Sequence, residues 1–244
     1  PFDNLDVRRA VNLATDRARV VEANGGPLLG RETCQQTPPG FPGYEPYCPY
    51  SASPGGAWRA PDMTAARALI DGAGVRGTKV TIRALDVPQH QAIGRYFVEL
   101  LNDLGFAASL QPITIEEIFD IEDSFSAGIQ MLGLWFLPSH PAPSSFILGT
   151  FTCPDFKVLP GSPGNFAGFC DPEIDARALR AYDLQATDPP AANEAWAEVD
   201  RLITDQSPAV AAFNPVDLAF HSKRVGNVQL NPVLGLLLSQ VWVQ

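Results

Sequence analysis

An α/β fold built on a parallel sheet is what this sequence predicts, and three observations predict it. Between Thr78 and Trp135 the segments alternate as strand, helix, strand, helix, strand, the order of consecutive βαβ units. The helical segments repeat apolar residues three and four apart, while the strand segments alternate every second residue. Glycines stand where each period stops, at Gly72-Ala73-Gly74 and at Gly105.

Taken in order, Asp6 is placed to cap a helix whose apolar face is Val7, Ala10, Val11 and Ala14. Asp16 caps a second short helix over 17–23, ended by Asn24-Gly25-Gly26. Residues 28–62 are rich in proline, glycine and tyrosine and show no period. So long an irregular segment belongs in a compact domain only if it is functional or stapled. Asp62 opens a helix through Met63, Ala66, Leu69 and Ile70. Residues 78–85 form a strand, with Val80, Ile82 and Ala84 on one face and Thr81 and Arg83 on the other. The plainest helix runs over 88–104, with Ile93, Phe97, Leu100, Leu101 and Leu104 as its stripe.

A strand over 106–112 follows. Thr114 and Glu117 then make a capping box for a helix carrying Ile118, Phe119 and Ile121. Residues 128–135 are the third strand, and they run straight into Trp135-Phe136-Leu137-Pro138-Ser139-His140-Pro141. A strand that ends in aromatics and a proline-rich loop is where α/β folds place ligands. Beyond it, 144–148 is one or two helical turns and 150–170 is irregular. Asp171-Pro172-Glu173 opens a helix to about Ala186. Asp188 caps another, with Ala192, Trp196, Val199, Leu202 and Ile203, stopped by Pro208. Residues 209–213 and 216–221 read as strands, and 225–244 is apolar with little period of either kind.

The totals narrow the function classes. With 45% hydrophobic and 18% charged residues over 244 positions, the chain can bury a substantial core. A net charge of −10 argues against nucleic acid or an anionic membrane as partner, since both would repel it. No run of 18 apolar residues is present. The chain opens at Pro1 without Met or a basic leader, so it is expected to be a piece of something longer. Four cysteines allow three connectivities. The local one, Cys34–Cys48 and Cys153–Cys170, needs the least rearrangement and is favoured; metal binding competes, though no CxxC occurs and no histidine falls near a cysteine. Paired cysteines in loops point to an oxidising, extracytoplasmic setting.

No catalytic constellation emerges. GxSxG, GxGxxG and the Walker loop are all absent, and Gly161-Ser162-Pro163-Gly164 places proline in what would be the nucleophile turn. His90, His140 and His221 are scattered and read as surface or loop residues. Glu116-Glu117 and Glu122-Asp123 read as solvated pairs, and Trp58, Trp196 and Trp242 as packing residues. Trp135 is open between packing and ligand contact. Neither a cofactor nor a metal is expected, and neither is an enzyme.

Several stretches together resemble the extracellular solute-binding proteins, family 5, that serve ABC importers of oligopeptides and related solutes. Residues Pro1-Phe2-Asp3 through Val7-Arg8-Arg9-Ala10-Val11-Asn12-Leu13-Ala14-Thr15-Asp16-Arg17 are similar to the opening of that family's C-terminal lobe. Gly25-Gly26, Pro38-Pro39-Gly40 and Gly43-Tyr44 recur in the loop that follows. Ala65 to Gly74 resembles its "aLLaeAG" helix, and Asn165-Phe166 with Cys170-Asp171-Pro172-Glu173-Ile174-Asp175 resembles a later segment.

The resemblance implies a type II periplasmic-binding-protein-like lobe, with a mainly parallel sheet flanked by helices and long disulfide-tied loops. It implies a lobe over 1–208, with closing strands and a tail over 209–244 that return to an N-terminal lobe of the same parent. The implied partners are a small-molecule or peptide ligand, that N-terminal lobe and a membrane permease; the implied location is extracytoplasmic, by lipid anchor or in a periplasm. Trp135, Phe136, Leu137, Pro138, Ser139 and His140 are the expected cleft residues. In peptide-binding members this stretch resembles W-x-x-D, whose aspartate pairs with the peptide α-amino group. Here Pro138 takes that position, and neither Asp86 nor Asp120 replaces it without a different backbone path. The alternative reading is a sensor or interaction domain, fused to a regulatory module, with its cleft repurposed.

Overall fold

Two short helices turn a corner at the start of the chain and set the first core. The structure, a computed structural model, describes residues 1–119, 130–133, 138–153, 165–231 and 235–244. α1 (Leu5–Ala14) is capped by Asn4, whose Oδ1 accepts from the Asp6 N–H at 2.8 Å. Asp6, expected as the cap, lies inside the first turn. Asparagine caps as well as aspartate, and starting at Leu5 gains the helical bond from Arg8 N–H to the Asn4 carbonyl. α2 (Arg17–Ala23) is capped by Asp16 as expected. β1 (Gly30–Glu32) follows, and then a long strap over 33–60.

α3 (Met63–Ala73), capped by Asp62 and ended by left-handed Gly74, packs on α1. β2 (Lys79–Leu85), α4 (Pro88–Asp103) and β3 (Ala107–Ile113) are a βαβ unit, in register from Lys79 opposite Ala107 to Leu85 opposite Ile113. The capping box closes α5 (Ile115–Phe119): the Thr114 N–H donates to Glu117, and the Glu117 N–H to Thr114 Oγ1. β4 (Met131–Gly133) pairs in parallel on the other edge of β2, so the sheet order is β3-β2-β4. Ile121 and much of the strand expected over 128–135 lie outside the described residues. Val80, Ile82 and Ala84 are buried under α4, whose Gly94 permits the approach: a Cβ there would come within 2.6 Å of Leu110.

The second half is helical. α6 (Ser144–Thr150), α7 (Pro172–Leu184) and α8 (Pro189–Gln206) enclose a separate core around Trp196, Ile147, Val199 and Ile203. The first core centres on Val7, Ile70, Ile82, Leu101 and Leu104. Both cysteine pairs form disulfides in the local connectivity, Cys34–Cys48 and Cys153–Cys170, which accounts for all four thiols.

Two expectations about the tail differ from the structure. Strands were expected over 209–213 and 216–221, but the strand found is β5 (Phe213–Pro215), antiparallel to β1. Residues 216–221 alternate in sequence, and the Val216 N–H still donates to the Leu29 carbonyl at 3.0 Å, but 217–221 then leave that edge and form no strand, with Phe220 92% exposed. Among the described residues, four two-residue strands complete the tail: β6 (Val225–Gly226), β7 (Leu230–Asn231), β8 (Gly235–Leu236) and β9 (Trp242–Val243). Trp242, expected as a packing residue, is half exposed over Gly226, because these hairpins are too thin to enclose it.

Candidate ligand-binding cleft

Parallel strands end at a common edge, so the loops that leave them gather there. At that edge lies an open depression of about 2010 Å³. One wall is Ile82, Ala84 and Leu85 of β2, Met131 to Gly133 of β4, and His90, Ile93 and Phe97 of α4. The helical half contributes Phe146, Phe151, Phe166 and Phe169 to the lining. The strap adds Thr33, Gln35, Gln36, Pro38, Pro39 and Phe41, and residues 206–217 also line the depression.

Side chains fix each wall from behind. Gln91, in the first turn of α4, donates from Nε2 to the carbonyls of Ala84 and Leu85 at 3.1 and 2.8 Å, which holds the exit of β2. His90 is buried rather than superficial. Burial lowers its pKa, and a hydrogen bond with the Gly133 backbone opposes that shift. The imidazole thereby joins α4 to β4 at the cleft.

The strap is held by two buried charges of opposite sign. Arg17 is wholly buried, and its guanidinium donates to the carbonyls of Thr33, Ala211, Asn12 and Tyr50 and to Asn12 Oδ1. Burial pulls its pKa down to about 10, so it stays charged at neutral pH. Asp200 of α8 accepts from Gln35 Nε2 at 2.6 Å and from the Gln36 and Thr37 N–H groups at 3.0 and 3.2 Å. Burial raises its pKa against the pull of these bonds. Gln35 also donates to the Glu45 carbonyl and accepts from the Tyr47 N–H, so both its donors and its oxygen are engaged. Gly43 passes so close to α8 that a Cβ would lie 2.7 Å from the Asn193 carbonyl oxygen.

Of the residues singled out in the sequence, Pro138, Ser139 and His140 line the depression. His140 lies within hydrogen-bond distance of both neighbours, Ser139 Oγ at 3.1 Å from Nδ1 and Ser144 Oγ at 3.2 Å from Nε2. Trp135, Phe136 and Leu137 lie outside the described residues. The sequence reading missed His90, Gln35, Phe41, Phe146 and Phe166 as cleft residues, and Arg17 and Asp200 as their supports. A signal was present for three of them. His90, Arg17 and Asp200 each occupy a place on an apolar helical stripe, at positions three, four or seven from Phe97, Val20 or Trp196.

A mixed sheet-and-helix body with an open depression at the C-terminal strand edge is the architecture in which α/β proteins place ligands. The chain belongs to the bacterial extracellular solute-binding proteins, family 5 Middle, whose model matches residues 1–157. It is similar over 100% of its length to the structure of clavulanic acid biosynthesis oligopeptide binding protein 2, with 25% identity, a TM-score of 0.80 and 44% of that chain covered. It is also similar to a dipeptide binding protein from Pseudoalteromonas sp. SM9913 in complex with Met-Leu (22% identity, TM-score 0.75, covering 100% of this chain and 46% of that one). A third likeness is the binding protein AgaA with agropinic acid, from A. tumefaciens R10 (16% identity, TM-score 0.70, 100% and 48%). None of the curated proteins matches the chain. The chain thus spans less than half the length of these solved relatives. The family is one of extracellular proteins, a setting in which the two disulfides persist.

Proposed function

We propose that this chain is the ligand-binding lobe, over residues 1–208, of a two-lobed receptor that presents a solute to the membrane permease of an ABC importer. The observation that carries this is the open depression at the edge of the β3-β2-β4 sheet, in a chain of family 5. A depression open on one side is half of a cleft, and a second lobe closing over it would bury a ligand of oligopeptide size. Closure would be driven by the ligand's higher affinity for the closed form, and the permease would read that form.

Residues 209–244 close the lobe and lead back to the N-terminal one. The run of exposed apolar side chains at Leu218, Phe220, Leu230, Leu238, Trp242 and Val243 supports this, because a solvated tail carries fewer. Pro138, Ser139 and His140 belong to the cleft wall that follows β4, and this reading extends the ligand-binding stretch along the sequence to Trp135, Phe136 and Leu137. The relatives' ligands, an oligopeptide by name, Met-Leu, and agropinic acid, frame the solute as an oligopeptide or a polar molecule of similar size.

Native mass spectrometry of the gently purified full-length polypeptide tests the reading. A co-purifying peptide or similar solute, displaceable with saturable kinetics, is expected. A protein that arrives empty and ignores peptide, sugar and chelate pools would overturn it in favour of a sensor or interaction module.

A further inference from the structure

Resting on the reading above, we propose that this lobe holds a short peptide by both charged ends, with Arg31 taking its carboxylate and Asp217 its ammonium. Both residues line the depression, and both are exposed. The Arg31 guanidinium donates from Nη1 to the Gly30 carbonyl at 3.0 Å and has no acidic partner among the described residues. The Asp217 carboxylate makes no hydrogen bond or ion pair among the same residues. Two other charged groups on the lining are already engaged in part. Arg8 donates to the carbonyls of Gln206, Phe2 and Asp3, and Asp171 Oδ1 caps α7.

One ladder carries both charges. β1 and β5 are antiparallel with Arg31 opposite Asn214, and Asp217 follows Asn214 by three residues. The Val216 N–H, donating to the Leu29 carbonyl at 3.0 Å, keeps the pairing up to the residue before Asp217. Buried Arg17 anchors the same ladder through the carbonyls of Thr33 and Ala211, and the Thr33 N–H donates to the Ala212 carbonyl. Three residues of extended chain set the two backbone positions on the order of 10 Å apart, about the span of a two- or three-residue peptide. A guanidinium fork suits a carboxylate, and a free carboxylate suits an ammonium. The fixed cation has a further reason: at a net charge of −10 the chain repels a carboxylate until a local positive group offsets it. Closure of a second lobe would take both pairs out of water, where each attraction is stronger.

Isothermal titration of the full-length polypeptide with short oligoalanines tests this, each length offered with free ends, N-acetylated, C-amidated or capped at both ends. The free peptide is expected to bind tightest, and each cap to weaken binding at least about tenfold, as loss of a charged hydrogen-bonded pair implies. Arg31→Ala should erase the amidation penalty alone, and Asp217→Ala the acetylation penalty alone. Both side chains are exposed, so melting temperatures should hold. A residue with a merely structural role would not sort the penalties by peptide end. Caps without effect, or a penalty that survives its substitution, would overturn the proposal and leave the transport reading standing. An acetylation penalty that vanishes in Asp3→Ala instead would do the same. So would silence from every peptide when native mass spectrometry still finds a displaceable solute. Silence from every peptide, in a protein that also arrives empty, takes down both.

Discussion

The α/β half and the helical half solve the same problem with opposite charges. Each must hold a strap that has little secondary structure of its own, and each does so with one buried ionised side chain. The α/β half uses Arg17, which collects carbonyls from two separate points of the strap, Thr33 and Tyr50, and from Ala211 of the returning chain. The helical half uses Asp200, which collects N–H groups from one turn near the start of the strap, at Gln36 and Thr37. A cation suits stretches that present carbonyls, and an anion suits a turn that presents amides. The difference teaches a division of labour: Arg17 ties three separate stretches of chain together, whereas Asp200 shapes one local turn beside Phe41. Loss of the first should be felt everywhere, and loss of the second chiefly in the cleft wall.

The largest effect expected follows from that contrast. Arg17→Met keeps volume but strands four buried carbonyls, and should destabilise the fold by about 4 kcal/mol or more. Urea unfolding with tryptophan fluorescence measures it. A loss under about 1 kcal/mol would mean that the strap is held at Thr33 and Tyr50 by other contacts, and the contrast with Asp200 would collapse.

Next come the disulfides, one in the strap and one in the helical half. Their loops span 14 and 17 residues, so chain entropy assigns each about 3 kcal/mol. Cys34 and Cys48 are both buried, while Cys170 is exposed. Replacing Cys34 and Cys48 together by serine should therefore cost more than the same change at Cys153 and Cys170, since it also places two hydroxyls in the core. Melting temperatures of the two double variants decide the order.

Asp200→Ala should cost about 2 kcal/mol and act locally. Hydrogen exchange should quicken at Gln36 and Thr37 while amides of β2 keep their protection; uniform acceleration would remove the distinction between the halves. The pH dependence has a definite sign. Because burial raises the Asp200 pKa in the folded state, this group favours folding most below the ordinary carboxylate range. That contribution fades as pH rises through the raised value. Asp200→Asn should flatten the stability curve in that window, as denaturant midpoints across pH would show.

How much of this was legible in the sequence depends on what fixes each feature. Element identity was readable because apolar period and caps are local: Asp16, Asp62, Asp171 and Asp188 all cap where expected. The cleft was legible only as a place, the loop after the third strand, because the strand edge is defined by order along the chain. Its other walls come from residues 33–41 and 146–169, brought together by long-range bonds that no window of sequence contains. His90 was misread as superficial because histidine is ordinarily exposed, although its position seven residues before Phe97 puts it on the buried stripe. The tail was misread for the converse reason. Alternation in 216–221 suggests a strand, but a strand must also stay on an edge, and 217–221 leave it.

The smallest effect expected lies where the two halves meet, at Ser207. This residue ends α8 in the left-handed region, at φ 51°, and its N–H closes the helix on the carbonyls of Ile203 and Thr204. Serine is strained there, and glycine is not. Its hydroxyl partly repays the strain by donating to the Thr204 carbonyl at 3.3 Å, a long bond. Ser207→Gly removes the strain and that weak bond together, while adding freedom to the unfolded chain. The net gain should be below about 1 kcal/mol. A clear loss of stability would mean that the hydroxyl fixes the direction in which the chain leaves α8. Residues 208–212, which carry the Ala211 carbonyl to Arg17, would then be set from the helical half, and the two anchors would form one coupled system. A double-mutant cycle with Arg17→Lys distinguishes these cases: additive losses keep the halves independent, and a coupling above about 0.5 kcal/mol joins them.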